Sequence, residues 1–225
     1  MNTLIIDTTY SSCSIAIVTA DMNSNLTFNN SNNQQSETIT EVLLTTLTKA
    51  KKELKEISSI IVTNGPGNFT SIRVGASFAL GIAKGICAPL YSLSSLEFLS
   101  IFNEKNKFFN KKLISVMPSR GNEIFVQEFS DSSLSDSEML KIKNSDLEKE
   151  FSPDKYFISF CSFQKENLNL YNYDFIEREF EDMSLNLVSK VKKKKINLTE
   201  LKSINYFSEP SAEKVNSSWL MKHKK

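Results

Sequence analysis

Short apolar runs separated by tight polar turns open the chain. Residues 3–9 (TLIIDTT) read as a strand ending in an acid and two hydroxyls, Cys13 to Val18 as a second strand after the turn Tyr10-Ser11-Ser12, and Leu26-Thr27-Phe28 as a third. Successive strands joined by short turns predict an antiparallel meander that begins a sheet. The period then changes. Ile39, Val42, Leu43, Leu47, Ala50 and Leu54 recur at helical spacing after an N-cap at Ser36 or Thr38, and Thr38 to Glu41 fits a capping box. Leu44 falls about a quarter turn off this stripe, where it either widens the core face or meets a partner protein.

The stretch from Ile60 to Ile86 organises the rest. Ile60-Ile61-Val62 is a buried-strand pattern, Asn64-Gly65-Pro66-Gly67-Asn68 a dense turn, and about Ile72 to Gly85 a helix capped by Thr70 or Ser71. That helix is apolar almost all round, which predicts burial on several sides. Gly75, Gly81 and Gly85 inside it each cost about 1 kcal/mol relative to alanine, which close packing against a neighbouring backbone would offset. The glycine turn is either a plain strand-to-helix connection or a loop whose N–H groups face an anion. It lacks the Gly-Lys-Ser/Thr ending of a P-loop and the Gly-x-Gly-x-x-Gly dinucleotide pattern.

Beyond it, Leu90 to Leu93 is a strand and Ser94 to Glu97 a capping box that starts a helix. Lys105 to Lys112 is a polar linker, which divides the chain into lobes 1–104 and 105–225. The second lobe opens with strands at Leu113 to Met117 and Ile124 to Phe129 around a turn at Pro118 to Asn122. Ser135 to Phe151 reads as an insertion or surface helix, Tyr156 to Phe160 and Phe175 to Phe180 as strands, and Met183 to Lys193 as the last good helix. The tail from Ser208 is polar, and no repeat of fixed short period is visible.

Net charge narrows the function classes little: at +1 the chain carries no global pull toward nucleic acid or membrane. Lysine runs at 49–55, 192–195 and 222–225 read first as solvated surface. Cys13, Cys87 and Cys161 are widely spaced and argue against a disulfide framework or a zinc site, and a reducing cytoplasm is the expected location.

The residues then reach a resemblance. Leu4-Ile5-Ile6-Asp7-Thr8, Cys13-Ser14-Ile15-Ala16, Ser36-Glu37, Gly65 to Gly75 (GPGNFTSIRVG), Ser94 to Glu97 and Arg120 to Phe125 (RGNEIF) are similar to motifs of the TsaB (YeaZ) family. The resemblance is specific from residue 2 to about 129. It implies an actin-like, Hsp70-type α/β fold (ASKHA) of two βαβ-based lobes with mixed sheets flanked by helices. It also implies a non-catalytic subunit of the bacterial machinery that makes N6-threonylcarbamoyladenosine at position 37 of tRNA. Such a subunit docks and activates the catalytic paralogue TsaD as a heterodimer, with TsaE in a larger complex. From the residues themselves, the near-neutral charge predicts tRNA bound only through the complex, an empty apolar docking face predicts a homodimer when the chain is alone, and apolar runs short of membrane-spanning length predict no membrane contact. Three departures stand out: Gln35 where a histidine is usual, Pro118-Ser119 before Arg120, and no recognisable C-terminal motif around Pro210.

A catalytic actin-like site clamps a nucleotide between two phosphate loops, which favours glycine. All six glycines lie at or before Gly121, which on this reading leaves the second lobe none for such a loop, and the only histidine is His223 in the tail. No catalytic residue, metal site or required cofactor is therefore expected. A weak, vestigial ATP or ADP contact is assigned to Asp7, Thr8, Thr9, Gly65 and Gly67, and the partner interface to Ile39, Leu43, Leu44, Leu47, Arg73, Ala76 and Leu80. The alternative is a nucleotide-hydrolysing or peptidase-like enzyme acting alone, with Asp7, Thr8 and Thr9 at its site.

Overall fold

In the computed structural model the residues described are 1–9, 12–29, 35–101, 110–129, 137–161, 168, 172–193, 196 and 198–201. The tail from Ser208, His223 and the lysines at 222–225 lie outside them. The opening meander forms as expected: β1 (Asn2–Asp7), β2 (Cys13–Val18) and β3 (Ser24–Asn29) pair antiparallel, with Asp7 opposite Ser14. Helix α1 (Gln35–Ala50) then crosses to β4 (Ile57–Thr63), which lies parallel to β1. Helix α2 (Phe69–Ile86) crosses to β5 (Leu90–Leu93), parallel to β4. A short helix, α3 (Ser95–Ser100), closes the first lobe.

The second lobe repeats this plan. Strands β6 (Lys112–Pro118), β7 (Glu123–Phe129) and β8 (Leu140–Lys143) form another antiparallel meander. After the short helix α4 (Leu147–Glu150), β9 (Tyr156–Cys161) runs parallel to β6 and β10 (Asp174–Arg178) parallel to β9, before α5 (Phe180–Lys192). Strand order is β3-β2-β1-β4-β5 in one sheet and β8-β7-β6-β9-β10 in the other. The expected insertion or surface helix at 135–151 is thus corrected to a third meander strand and one helical turn. Its alternation is weak because no β8 residue is fully buried. A last strand, β11 (Thr199–Glu200), returns to pair antiparallel with β5 at the edge of the first sheet.

Burial assigns each face. Leu4 and Ile6 of β1 point into a layer under α1 and α2 with Ile39, Leu43, Leu47 and Ala79, whereas Ile5 between them points to the opposite side. Each such aliphatic residue contributes roughly 1.5–3 kcal/mol on burial. On that opposite side α3 packs on β6, β7 and β9 of the other lobe, while α5 packs on β2 and β3. Each lobe's closing helix therefore covers the other lobe's sheet, and the two meet where the Phe98 and Phe180 rings cross edge to face at 5.6 Å. Ser159 Oγ donates to Leu99 O (2.6 Å) and Arg178 Nη2 to Ile101 O (2.5 Å), so the second lobe also caps the end of α3.

Several local expectations change. α1 begins at Gln35, which places Ser36 and Thr38 inside its first turn rather than at an N-cap. It stops at Ala50 because Lys51 turns left-handed (φ 51°), and Leu54 packs from a 3-10 turn beyond it. The cap of α2 is Asn68, whose Oδ1 accepts from Thr70 N (3.0 Å) and Ser71 N (3.2 Å). An asparagine there is a strong cap, and Thr70 and Ser71 become first-turn residues. The Ser94–Glu97 capping box forms as expected, with Glu97 N to Ser94 Oγ at 3.0 Å and Ser94 N to Glu97 Oε2 at 2.6 Å.

Helix α2 is not buried on several sides. Ser71, Ile72, Gly75, Ala76, Ala79 and Ala83 face the sheet, while Arg73, Ser77, Leu80, Gly81, Lys84 and Gly85 are exposed. Close packing explains Gly75 but not Gly81 or Gly85, around which a Cβ would meet nothing within 4 Å. Finally, Gly121 (φ 65°) sits in the β6–β7 turn, the counterpart of the β1–β2 turn, so the second lobe does hold one glycine where a phosphate loop would be built.

Candidate functional site

The candidate site lies at the C-terminal end of β1, where the chain leaves the sheet beside the glycine turn. Asp7 Oδ1 accepts three hydrogen bonds: from Thr9 N (2.9 Å), Thr9 Oγ1 (2.7 Å) and Thr63 Oγ1 (2.6 Å). The first is an Asx-type turn, the ordinary local use of an aspartate at a strand end. Ser95 Oγ lies 3.0 Å from Thr9 Oγ1 and donates to it, since the Thr9 proton is committed to Asp7. Thr8 Oγ1 donates to the Ser71 carbonyl at 2.7 Å. Thr8 and Thr9 are both buried, and no polar atom of either hydroxyl points away from the protein's own groups.

The glycine turn is stitched to the same place. Asn68 N donates to Thr9 O (2.9 Å), Ser95 N to Gly65 O (2.7 Å) and Asn64 N to Leu93 O (3.1 Å). Gly65 stands at φ 104°, open to glycine with little penalty, and the Gly65–Pro66 peptide is cis. A Cβ at Gly67 would sit 2.1 Å from Thr9 O, and one at Gly75 would sit 2.2 Å from Thr8 Oγ1. The two residues are glycine because the β1 end is pressed against them. Thr63, Ser71 and Ser95 complete this knot, and the sequence reading assigns none of them to the site. The available signal was a hydroxyl residue at the end of each parallel strand or at the helix start beside the glycine turn.

Electrostatics agree with a closed site. Burial, with the Asp7 carboxylate as a second cause, pushes the Cys13 thiol up to about 12, so it stays protonated and unreactive. A threonine nucleophile needs a base that takes its proton and an approach for substrate. Thr9 donates to Asp7 as such a pair would, yet it is 1% exposed and its oxygen already accepts from Ser95. Among the described residues no group of three His, Cys, Asp or Glu side chains could hold a metal ion.

The residues assigned to a partner interface divide. Ile39, Leu43, Leu47 and Ala76 are buried in the chain's own core, which corrects their place on an open face: their stripe packs against the sheet. Leu44 (60% exposed), Leu80 (43% exposed) and Arg73, whose guanidinium lies 3.9 Å over the Phe69 ring, remain on the outer side of α1 and α2. These two helices lie side by side on one face of the first sheet.

Two meanders of matching order, parallel crossovers and exchanged closing helices make this an actin-like, two-lobed ASKHA fold. A Pseudomonas aeruginosa crystal structure, described as an uncharacterized protein with similarity to peptidase YEAZ, shares it at TM-score 0.68 and 13% identity, over 92% of this chain and 98% of that one. The family model of TsaD, tRNA N6-adenosine threonylcarbamoyltransferase, matches residues 29–128. The tRNA threonylcarbamoyladenosine biosynthesis protein TsaB of Buchnera aphidicola subsp. Acyrthosiphon pisum is 33% identical over 81 residues, 35% of each chain. The TsaB protein of Escherichia coli K12 is 31% identical over 96 residues, 43% of this chain and 41% of that one. The matched part thus spans less than half the length of these two curated relatives. In sequence the chain is thus similar to TsaB proteins over part of its length, and in fold to a YeaZ-like structure over most of it.

Proposed function

We propose that this chain is the non-catalytic adaptor of a tRNA N6-threonylcarbamoyladenosine machinery, and that it docks and activates a TsaD-type transferase through the outer side of α1 and α2. The observation that carries the non-catalytic part is the filled cradle. The carbonyl of Thr9 and the hydroxyl of Thr8 fill the space where a Cβ at Gly67 or Gly75 would stand, and the hydroxyls of Thr8 and Thr9 both donate to the protein's own groups. The glycines here serve protein packing, and the nucleotide contact assigned to Asp7, Thr8, Thr9, Gly65 and Gly67 is at most weak. The adaptor part is supported by Leu44 and Leu80, large apolar side chains held outward on neighbouring helices, and by Gly81 and Gly85, which leave α2 bare enough for close approach of another helix. Without its partner the same face favours a second copy of the chain, and a TsaE-type subunit belongs to the larger assembly.

The test is reconstitution. The chain is co-purified with a TsaD-type subunit, and tRNA modification is measured with and without it. Modification that requires the chain, while Asp7→Ala leaves both assembly and modification near normal, supports the adaptor. ATP turnover by the purified chain alone overturns it.

A further inference from the structure

The structure brings two sequence-distant lysine runs to one end of the first lobe. Lys49 and its successors Lys51 and Lys52 lie at the C-terminus of α1; Lys192 and Lys193 lie at the C-terminus of α5, on the opposite face of the sheet. Both helices end at the β2–β3 hairpin. Lys192 Nζ donates to Ala20 O at 3.1 Å, and Lys49 Nζ to Leu26 O at 3.0 Å. Lys52 is close enough to the next turn residue, Asp21, to help hold its carboxyl below the usual range, behind the hydrogen bonds from Thr19 and the turn backbone. The two runs therefore flank the β2–β3 hairpin, one from each face of the sheet.

Opposing charge is sparse there. Glu53 and Lys55 face each other at 2.7 Å and cancel. That leaves Asp21 and Glu56, the latter paired with Lys52 at 3.1 Å, against the five lysines. The chain as a whole carries only +1, so this end is an island of positive charge on a near-neutral molecule. The sequence continues from Lys193 into Lys194 and Lys195, outside the described residues. A lysine in the last helical turn is explained by the helix dipole. Lys51 and Lys193, exposed beyond the helix ends, are not.

Beside Lys192 opens a cleft of about 260 Å³, walled by Ile61, Tyr91, Val188, Val191 and Leu198. One ammonium group, that of Lys192, at an apolar cleft with an aromatic wall, with further lysines about the same hairpin, suits RNA, which offers phosphates and unstacked bases together. An acidic peptide or an anionic membrane uses the charge alone.

We propose that this end of the first lobe is a contact surface for the phosphate backbone of tRNA, used while the chain is part of its complex. The choice of tRNA rests on the adaptor reading above; the surface itself does not.

The test compares the wild-type chain with the quadruple variant Lys51→Ala, Lys52→Ala, Lys192→Ala, Lys193→Ala. Fluorescence anisotropy with labelled tRNA is read across a salt series, for the assembled complex and, at low salt, for the chain alone. Each lost phosphate contact lowers the salt slope by about one, so the variant should lose roughly three to four in slope and about tenfold or more in affinity. The matching lysine-to-arginine variant should bind as wild type, and Lys141→Ala, on β8 of the second lobe, should change nothing. Unchanged tRNA affinity and slope in the quadruple variant overturn the proposal. So does a variant that loses binding to phosphatidylglycerol vesicles, or to the transferase subunit, while holding tRNA normally. A complex that assembles and modifies tRNA yet shows no effect of the lysines sinks this surface alone. Failure of the wild-type chain to assemble with the transferase sinks the adaptor reading, and the chain-alone titration still decides the surface.

Discussion

The carbonyl oxygen of Thr9 stands 2.1 Å from the point where a side chain at Gly67 would begin. The glycine turn and the end of β1 are therefore a single packed unit, not two walls of an open cleft. Gly67→Ala should cost about 2–4 kcal/mol, because backbone cannot yield as a side-chain end does. Gly75→Ala should cost less, since the atoms in the way belong to the Thr8 side chain rather than to backbone. Gly81→Ala should do the reverse and stabilise the isolated chain by about 1 kcal/mol, a helical glycine in open space having only its backbone freedom to lose. Denaturant midpoints of the three variants check the order.

The outer side of α1 and α2 can be separated from the inner by charge. Leu44→Glu and Leu80→Glu should leave the melting temperature within a few degrees of wild type and lower affinity for a TsaD-type subunit by tenfold or more. Leu43→Glu and Ala76→Glu should instead unfold the chain, because 5% and 2% exposed positions cannot hydrate a carboxylate. Circular dichroism and pull-down on the same four variants separate the two outcomes.

Alkaline pH should destabilise the fold. The Cys13 thiol is pushed from 9.0 to about 12 in the folded chain by burial and then by Asp7, and the Tyr173 phenol from 10.0 to about 12 by burial and then by Glu148. Both are raised, so the folded state holds protons that the unfolded state releases. Their contribution is intact below pH about 9 and is lost as pH rises from there toward 12. Urea midpoints at pH 8 and pH 10.5 should fall accordingly, and Cys13→Ala should shrink the difference. At pH 8 peptide mapping should find the exposed Cys87 alkylated by iodoacetamide and Cys13 intact.

The exchanged closing helices make the lobes one cooperative unit. Phe98→Ala or Phe180→Ala removes a ring from the layer that both sheets share, at a cost of about 3–5 kcal/mol. Near- and far-ultraviolet circular dichroism should melt together in wild type and in either variant, with no separate transition for either lobe.

The first lobe was largely legible because its strands are covered on both faces and its helices carry caps and stripes with local chemistry, as Ser94–Glu97 and Ile39–Leu47 show. What stayed hidden depends on distance along the chain. β8 lies half in solvent and carries no alternation, and β11 is two residues long and exists only because β5 offers it an edge. The duplication of strand order leaves no mark in residue identity: β1 and β6 share a place in the fold, not a sequence. At the site, Asp7 and the glycines could be found by type. That Thr63, Ser71 and Ser95 would consume the hydrogen bonds of Asp7, Thr8 and Thr9 could not, because each lies tens of residues away.

The return of Thr199–Glu200 to the margin of the first sheet sets a timetable for synthesis. A ribosome makes β5 well before it makes β11, with the whole second meander in between, so the nascent first lobe carries a bare rim of peptide groups while the second meander is being made. The lobe that emerges first is thus the one finished last. Chains released early, before residue 199, should be the ones that stick to each other.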